Sequence, residues 1–327
     1  MSENIIKSDE VREYLRQQEG REVTLDSIRS EFGVSRGTKS FDAVRNIMYQ
    51  FAQQRTVKPV GKRSGVYKVL VQVQPVKVFG QEHKSGLFNL VFPKDRDTEM
   101  EFSFAEDVVI REGDLILIAG VSNYGKTAIA MNFLAENIES SPVLLGNEFT
   151  SSDGQPTPRF VSRLESMDWV KWVNGTGEDK FTLLPVMSDY PEYIVKDRIN
   201  ILDWVNIETG EHYQIGTLLS EIKRAVGKGV GVAVIQKSEY ATAGRGGQFT
   251  KDFADLELLI DKHGEMESRL TIGKCKESTK SLTGKSWAFG IFQGVKLVNI
   301  REVKKCKRCY GKNDSCPDCN GLGWVDK

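Results

Sequence analysis

"LILIAGVSNYGKTAIAMNFL", residues 115–134, is an apolar run that stops at Gly120. A short polar loop follows, then Gly125, Lys126 and Thr127, then an apolar segment with helical spacing. The stretch satisfies G-x-x-x-x-G-K-[ST] in the setting that pattern requires, a strand before it and a helix after it. Glycines let successive backbone N–H groups wrap a phosphate at a helix N-terminus, where the dipole favours an anion. A lysine adds a point charge on the β- and γ-oxygens, and a Thr hydroxyl can coordinate Mg²⁺. The expected nucleotide-binding set is therefore Gly120, Val121, Ser122, Asn123, Tyr124, Gly125, Lys126 and Thr127. Asn123 and Tyr124 are not demanded by a phosphate cradle; Tyr124 suits either stacking or packing at a subunit interface.

Outward from this loop, residues 108–300 alternate short apolar runs ("PVLLGN", "NILDWV", "GVAVIQ", "DLELLI") with helical segments. Continuous apolar strands separated by helices predict an α/β core with a mostly parallel sheet covered on both faces. Three strand ends carry candidate chemistry. Asp203 closes "RINILD" and can orient the water shell of Mg²⁺, or merely cap a turn. Glu148 follows "VLLGN" and can polarise an attacking water as a general base, or be a solvated loop residue. Gln236 ends "VAVIQ", where a neutral amide can hydrogen-bond a γ-phosphate and report its loss, or be a surface glutamine.

The order GVSNYGKT, LLGNEFT, NILDWVN, VAVIQKSEY resembles RecA-type ATPases, and within them the replicative helicases of the DnaB type. The resemblance covers roughly residues 108–300 and implies a RecA-like P-loop core, ATP with Mg²⁺, and homo-oligomers in a ring or filament. In that family a later strand carries Lys-x-Arg, which reaches the neighbouring subunit's γ-phosphate. The corresponding stretch here, "LTIGKCKESTK", puts Lys274 and Lys276 at those positions. The second is Lys rather than Arg, and Lys offers no bidentate fork. The resemblance also implies that the segment after Gln236, residues 237–253, faces DNA. Lys237, Arg245 and Lys251 make it basic, and Tyr240 and Phe249 could stack on bases. "NIETGEHYQ", after Asp203, is a candidate first DNA loop.

Residues 1–70 read as a small domain of three helices and a two-stranded hairpin, a pattern similar to winged-helix domains rather than the helical collar of DnaB-type helicases. Ser8 is the expected cap of the first helix, with Val11, Tyr14 and Leu15 on its apolar face. Arg55, Lys58, Lys62, Arg63 and Lys68 form a wing without an acidic residue, and Arg45 lies on the third helix. These could contact DNA, or the unit could bind protein. Residues 71–107 read as a connector with β-like pieces, "GLFNLVF" and "MEFSF".

Residues 301–327 form a basic tail in which Cys306, Cys309, Cys316 and Cys319 read C-x2-C-x6-C-x2-C. Two such knuckles supply four thiolates, the tetrahedral set Zn²⁺ prefers. "CKRCYG" and "CPDCNGLG" resemble the repeats of the DnaJ cysteine-rich region. Cys275 stands apart and reads as a structural thiol.

Among 327 residues the formal net charge is zero, so nucleic-acid binding must come from local patches. No apolar stretch is long enough to span a membrane, and the polar N-terminus does not look like a signal peptide, so a cytoplasmic protein is expected. The function expected is a DNA-binding, oligomeric, helicase-like ATPase working with replication or recombination proteins. An ATP-switched DNA-assembly protein that does not unwind, or a partner-regulating ATPase, would fit the same motifs.

Overall fold

The computed structural model describes residues 6–61, 65–71, 86–205, 214–238, 241, 244, 247–310 and 315–327. The chain divides into two compact units, Met1–His83 and Lys84–Lys327.

The first unit runs α1 (Ser8–Gln17), β1 (Glu22–Thr24), α2 (Leu25–Glu31), α3 (Lys39–Gln53), β2 (Val57–Pro59) and β3 (Val66–Val69). Its antiparallel sheet has the order β1-β3-β2. Val11, Leu15, Ile28, Val44, Met48 and Phe51 are buried together, as their helical spacing demands. Two details differ from expectation. The cap of α1 is Lys7, whose backbone N–H donates to Glu10 Oε2 at 2.8 Å, so Ser8 is already helical. The hairpin gains a third strand, β1, in which Val23 pairs with Tyr67. Three residues are too short a run for alternation to reveal.

In the second unit the elements are β4 (Leu115–Gly120), α4 (Lys126–Glu136), β5 (Val143–Leu145), α5 (Pro158–Ser166), β6 (Thr182–Leu184), α6 (Tyr190–Tyr193), β7 (Ile199–Leu202), α7 (Gln214–Ala225), β8 (Val230–Gln236), α8 (Gln248–Phe253), β9 (Leu256–His263), β10 (Glu267–Cys275), β11 (Ser286–Phe292), β12 (Lys296–Lys305) and β13 (Trp324–Asp326). They form one sheet of ten strands, ordered β13-β12-β11-β10-β9-β4-β8-β7-β5-β6. From β9 to β6 every neighbouring pair is parallel, which is the α/β core expected. From β9 to β13 the sheet continues as an antiparallel meander.

The apolar run of β4 has a simple cause. Ile116 and Ile118 enter the core shared with Ile129 and Phe133 of α4. Leu115, Leu117 and Ala119 enter the opposite core with Leu219 and Ile222 of α7. With both faces covered, alternation disappears from the sequence. Helix α4 is buried from Ala128 to Ala135, apolar there but for Asn132, whose amide donates to the Ala128 and Val295 carbonyls.

Two boundaries read from the sequence need revision. The described part of the expected connector belongs to the core: Leu90, Phe92, Phe102 and Phe104 are buried against α4 and β11. Phe104 meets Trp287 edge-on at 4.8 Å between ring centroids. Its β-like pieces form only isolated bridges, Leu87 with Arg111 and Lys94 with Glu101. The cysteine segment, expected as a basic tail, is tied into the sheet. It is the tip of the β12–β13 hairpin, whose strands pair Lys305 with Trp324. Among the described residues no helix is long and apolar enough to cross a membrane.

Candidate functional site

The loop between β4 and α4 has the backbone that its glycines predict. At Gly120 an added Cβ would lie 2.8 Å from Ile260 Cβ and 2.9 Å from Lys126 Cγ, so no side chain fits. Gly125 caps α4 with φ of 94°, in the left-handed region where glycine carries no penalty, and its Cα faces Ile291. Asn123 also has positive φ, 68°, which explains a residue the phosphate pattern leaves open: Asn tolerates that conformation. Lys126 Nζ donates to the Val121 carbonyl at 2.9 Å, inside the loop it is meant to serve. Burial lowers the Lys126 pKa, while Asp203 and Glu148 oppose that shift.

The expected carboxylates converge on the same loop. Asp203 is buried and accepts a hydrogen bond from the Thr127 hydroxyl. Burial pushes its pKa up to about 6; the Glu148 charge adds to the rise, and Thr127, Lys126 and Arg163 oppose it. The chain approaches closely here: an added Cβ on Gly146, after β5, would strike the Asp203 carbonyl. Glu148 stands exposed two residues later and accepts from Trp204 Nε1 at 3.1 Å. Gln236 Nε2 donates to Ser122 Oγ at 2.8 Å, and the next residue's N–H donates to the Gly120 carbonyl at 2.9 Å. The end of β8 is thus tied to the phosphate loop at two points.

The C-terminal half of the loop and Glu148 open onto a cleft of about 770 Å³. Asn123 to Thr127 line it beside Glu148, with the β9–β10 turn at Met266 and the β11–β12 turn at Gly294 on its rim. Sequence reasoning missed two of its cations, Arg159 and Arg163, one turn apart on α5. The signal was present as "PRFVSR", soon after Glu148: like charges at i and i+4 are mildly unfavourable on a helix unless an anion faces them. The donor set suits a magnesium nucleotide. Lys126, the N-terminus of α4 and the two arginines supply positive potential, and Thr127 with Asp203 offers hard oxygen ligands for the metal.

The other expected residues are scattered. Lys274 and Lys276 lie at the opposite end of the strands from this chain's phosphate loop: Lys274 pairs with Glu257, which pairs with Leu117 near the start of β4. Lys274 Nζ donates to the carbonyls of Lys251 and Asp252 at 2.8 and 3.1 Å. Lys276 Nζ meets Asp255 Oδ1 at 2.9 Å, where the same carboxylate takes the N–H of Leu115. Lys237, expected to face DNA, is instead only 2% exposed. Its ammonium is consumed inside the fold by Asp261, at 2.5 Å, and by the Ala241 carbonyl, at 2.8 Å. Phe249 is exposed on α8, and Lys251 is half-buried there. Arg45 is exposed on α3, beside Asp42 at 3.6 Å. Lys62, Arg63, Tyr240, Arg245 and most of "NIETGEHYQ" fall outside the described residues.

The four cysteines do come together. Their sulfurs all lie within 4.8 Å of one another, with Cys306–Cys316 at 3.8 Å and Cys309–Cys319 at 3.5 Å. Four sulfurs at the Zn–S length of about 2.3 Å in a tetrahedron are separated by about 3.8 Å, so the cage fits zinc. Both knuckles turn the same way: the residues after the second cysteine of each, Tyr310 and Asn320, have φ of 52° and 49°. Gly323 N–H points to Cys319 Sγ at 3.2 Å, the type of donor that supports a thiolate. Burial and the neighbouring thiols push Cys319 up to about 12, so a bound cation would be needed to ionise this thiol.

No family model matches the chain, and no curated protein is significantly similar to it. Solved structures that match include a KaiC-like protein from the hyperthermophilic archaeon Pyrococcus horikoshii. It is 17% identical, covers 58% of this chain and 90% of its own, and has a TM-score of 0.44. A likeness of that extent adds nothing to what strand order and site geometry establish: an α/β core whose phosphate loop, buried Asp and strand-end Glu and Gln share one end of a parallel sheet.

Proposed function

We propose that this protein is an oligomeric ATPase of the RecA/DnaB-like kind that couples ATP hydrolysis to nucleic-acid binding or translocation. The observation that carries the reading is the double tie between β8 and the phosphate loop, Gln236 to Ser122 and the following N–H to Gly120. A change at the phosphates is felt at once by the segment that leads into residues 237–253. Lys126 and the α4 N-terminus hold the β- and γ-phosphates, and Arg159 and Arg163 add charge from α5. Thr127 and the ionised Asp203 hold Mg²⁺, which when bound neutralises charge on the phosphate oxygens. Glu148, oriented by Trp204, takes a proton from the attacking water.

In this reading ATP sits between subunits, and Lys274 and Lys276 serve the neighbour's site. Phe249, Lys251, Tyr240 and Arg245 belong to the DNA-facing loop. The first unit is read as a winged helix, a reading its order α1-β1-α2-α3-β2-β3 supports, and Arg45, Lys62 and Arg63 are its candidate DNA contacts. The four cysteines hold Zn²⁺. The setting is cytoplasmic, with replication or recombination proteins as partners.

The test is the ATPase rate of the wild type and Lys126→Ala with and without single-stranded DNA, alongside strand displacement. Lys126-dependent hydrolysis stimulated by DNA supports the reading, and displacement identifies a helicase. Stimulation with DNA-dependent filaments and no displacement identifies an assembly protein. Hydrolysis indifferent to any nucleic acid rejects the DNA-coupled reading in favour of a partner-regulating ATPase.

A further inference from the structure

A second pocket, of about 450 Å³, borders the phosphate loop. Val121 and Tyr124 form one side, and Tyr124 also lines the nucleotide cleft. Its other walls come from strand faces: Asp261 and Lys262 of β9, Arg269 of β10, Lys305 of β12 and Trp324 of β13, with Lys237 behind them. Four cations therefore surround one carboxylate, in a chain whose formal net charge is zero.

The arrangement inside is ordered. Asp261 is shared by the buried Lys237 ammonium, at 2.5 Å, and Arg269 Nη2, at 3.5 Å. The Arg269 guanidinium lies 4.1 Å from the Trp324 ring centroid, and Lys305 Nζ lies 6.0 Å from the same ring. Arg269 Nε is buried and has no acceptor among the described residues. A buried guanidinium donor without an acceptor leaves its positive charge incompletely compensated, which favours an anion at the pocket mouth. Lys262 and Lys305 are exposed at the rim, and Lys307, two residues on from Lys305, is exposed as well.

We propose that this pocket binds a nucleotide unit of single-stranded nucleic acid, its phosphodiester on Arg269, Lys262 and Lys305 and its base against Trp324. Cations tracking a backbone beside an aromatic platform are what sequence-tolerant strand binding requires. The volume lies within the roughly 300–1,000 Å³ typical of small-ligand sites. Charge continuing past the rim favours a strand over a free nucleotide. The pocket also touches what the phosphates touch: Lys237 follows Gln236, and its N–H bonds Gly120. The cysteine cage enters too, because Cys306 N–H donates to the Gly323 carbonyl at 2.9 Å, immediately before Trp324. Zinc at the hairpin tip would hold the platform in place. The inference rests on the nucleic-acid-dependent reading of the chain and names where the strand lies.

The test uses full-length protein and fluorescence anisotropy with a labelled oligothymidylate. Lys262→Glu with Lys305→Glu is compared with Lys228→Glu, a charge reversal on the α7–β8 turn. Trp324→Leu and Trp324→Phe form a second pair, and fluorescent-ADP affinity and zinc content are measured on every variant. We expect the double variant to bind at least about tenfold more weakly and with a shallower salt dependence, two phosphate contacts being worth about 1.4 in slope. Trp324→Leu should lose about five- to a hundredfold, as removal of one stacked base does, and Trp324→Phe should recover most of it. Oligonucleotide affinity in the double variant equal to that of Lys228→Glu overturns the pocket and leaves the ATPase reading untouched. Wild type that binds ADP but no oligonucleotide overturns both the pocket and the DNA-coupled reading. Competition by thymidine monophosphate as effective as by unlabelled oligonucleotide overturns the strand and leaves a free-nucleotide site.

Discussion

The two halves of the ten-stranded sheet use their strands differently. In the parallel half, from β9 to β6, candidate chemistry sits at strand ends, where each strand hands one residue to a common edge: Gly120, Asp203, Gln236 and, just past β5, Glu148. In the antiparallel half, from β9 to β13, it sits on a strand face or at a hairpin tip: Asp261, Arg269, Lys305 and Trp324 on the face, and four cysteines beyond it. Edge chemistry leaves a motif, because an apolar run that stops at a polar residue can be seen in one segment. Face chemistry leaves almost none, because each strand contributes one residue at an unremarkable position.

If the halves are separable, each can be broken with the other intact. The largest effect is expected from Cys316→Ser. With three thiolates left, bound zinc should fall from one per chain to none by metal analysis, since closed structural sites use four ligands. Amide hydrogen exchange should rise in β12 and β13 while ADP still binds. Loss of ADP binding in that variant would show that the hairpin supports the phosphate loop. Next comes Lys126→Ala, which should weaken fluorescent-ADP binding by about a hundredfold, about 2.7 kcal/mol for a charge-assisted contact. Zinc content should not change.

Asp203 offers a prediction of opposite signs. Its pKa of about 6 in the fold stands above the ordinary carboxylate value of 3.8. The folded state therefore binds more protons than the unfolded state between those values, and its stability falls as pH rises through the window. Above pH 6 the buried charge is a standing cost. Asp203→Asn should thus raise the melting temperature at pH 8, by up to roughly 3 kcal/mol in stability, while losing Mg²⁺-dependent nucleotide binding. A variant less stable than wild type at pH 8 would mean that the Thr127 bond outweighs desolvation. Gln236→Ala should change ADP affinity less than about threefold, the worth of one neutral hydrogen bond, yet abolish stimulation of hydrolysis by single-stranded DNA. Retained stimulation would cut the proposed link between the halves. The smallest effect is expected from Arg163→Gln. Arg163 lowers the Asp203 pKa, so its loss should move the acid limb of Mg²⁺–nucleotide binding to higher pH by less than about one unit.

Legibility followed the same division. Gly120 to Thr127, Glu148, Asp203 and Gln236 stood out as candidates because a parallel α/β strand places a polar residue directly after its apolar run, and the structure brings them to one end of the sheet. The cysteine cage was readable because its four ligands fall within fourteen consecutive residues. Phe92, Phe102 and Phe104 were misplaced in a connector because irregular segments bury aromatics without periodicity. Lys237 was misread as a solvent-facing cation because its partner, Asp261, lies two strands away in the sheet.

The sequence by itself determined a phosphate loop, three polar strand ends and a zinc-type cysteine quartet, since each depends on spacing within one short segment. Only the tertiary structure decided that Thr127 meets Asp203, that Arg159 and Arg163 join the cleft, and that Arg269 lies on Trp324 beside the phosphate loop. Those relations depend on strand order, register and which face a residue takes. Distant side chains acquire them only when the sheet assembles.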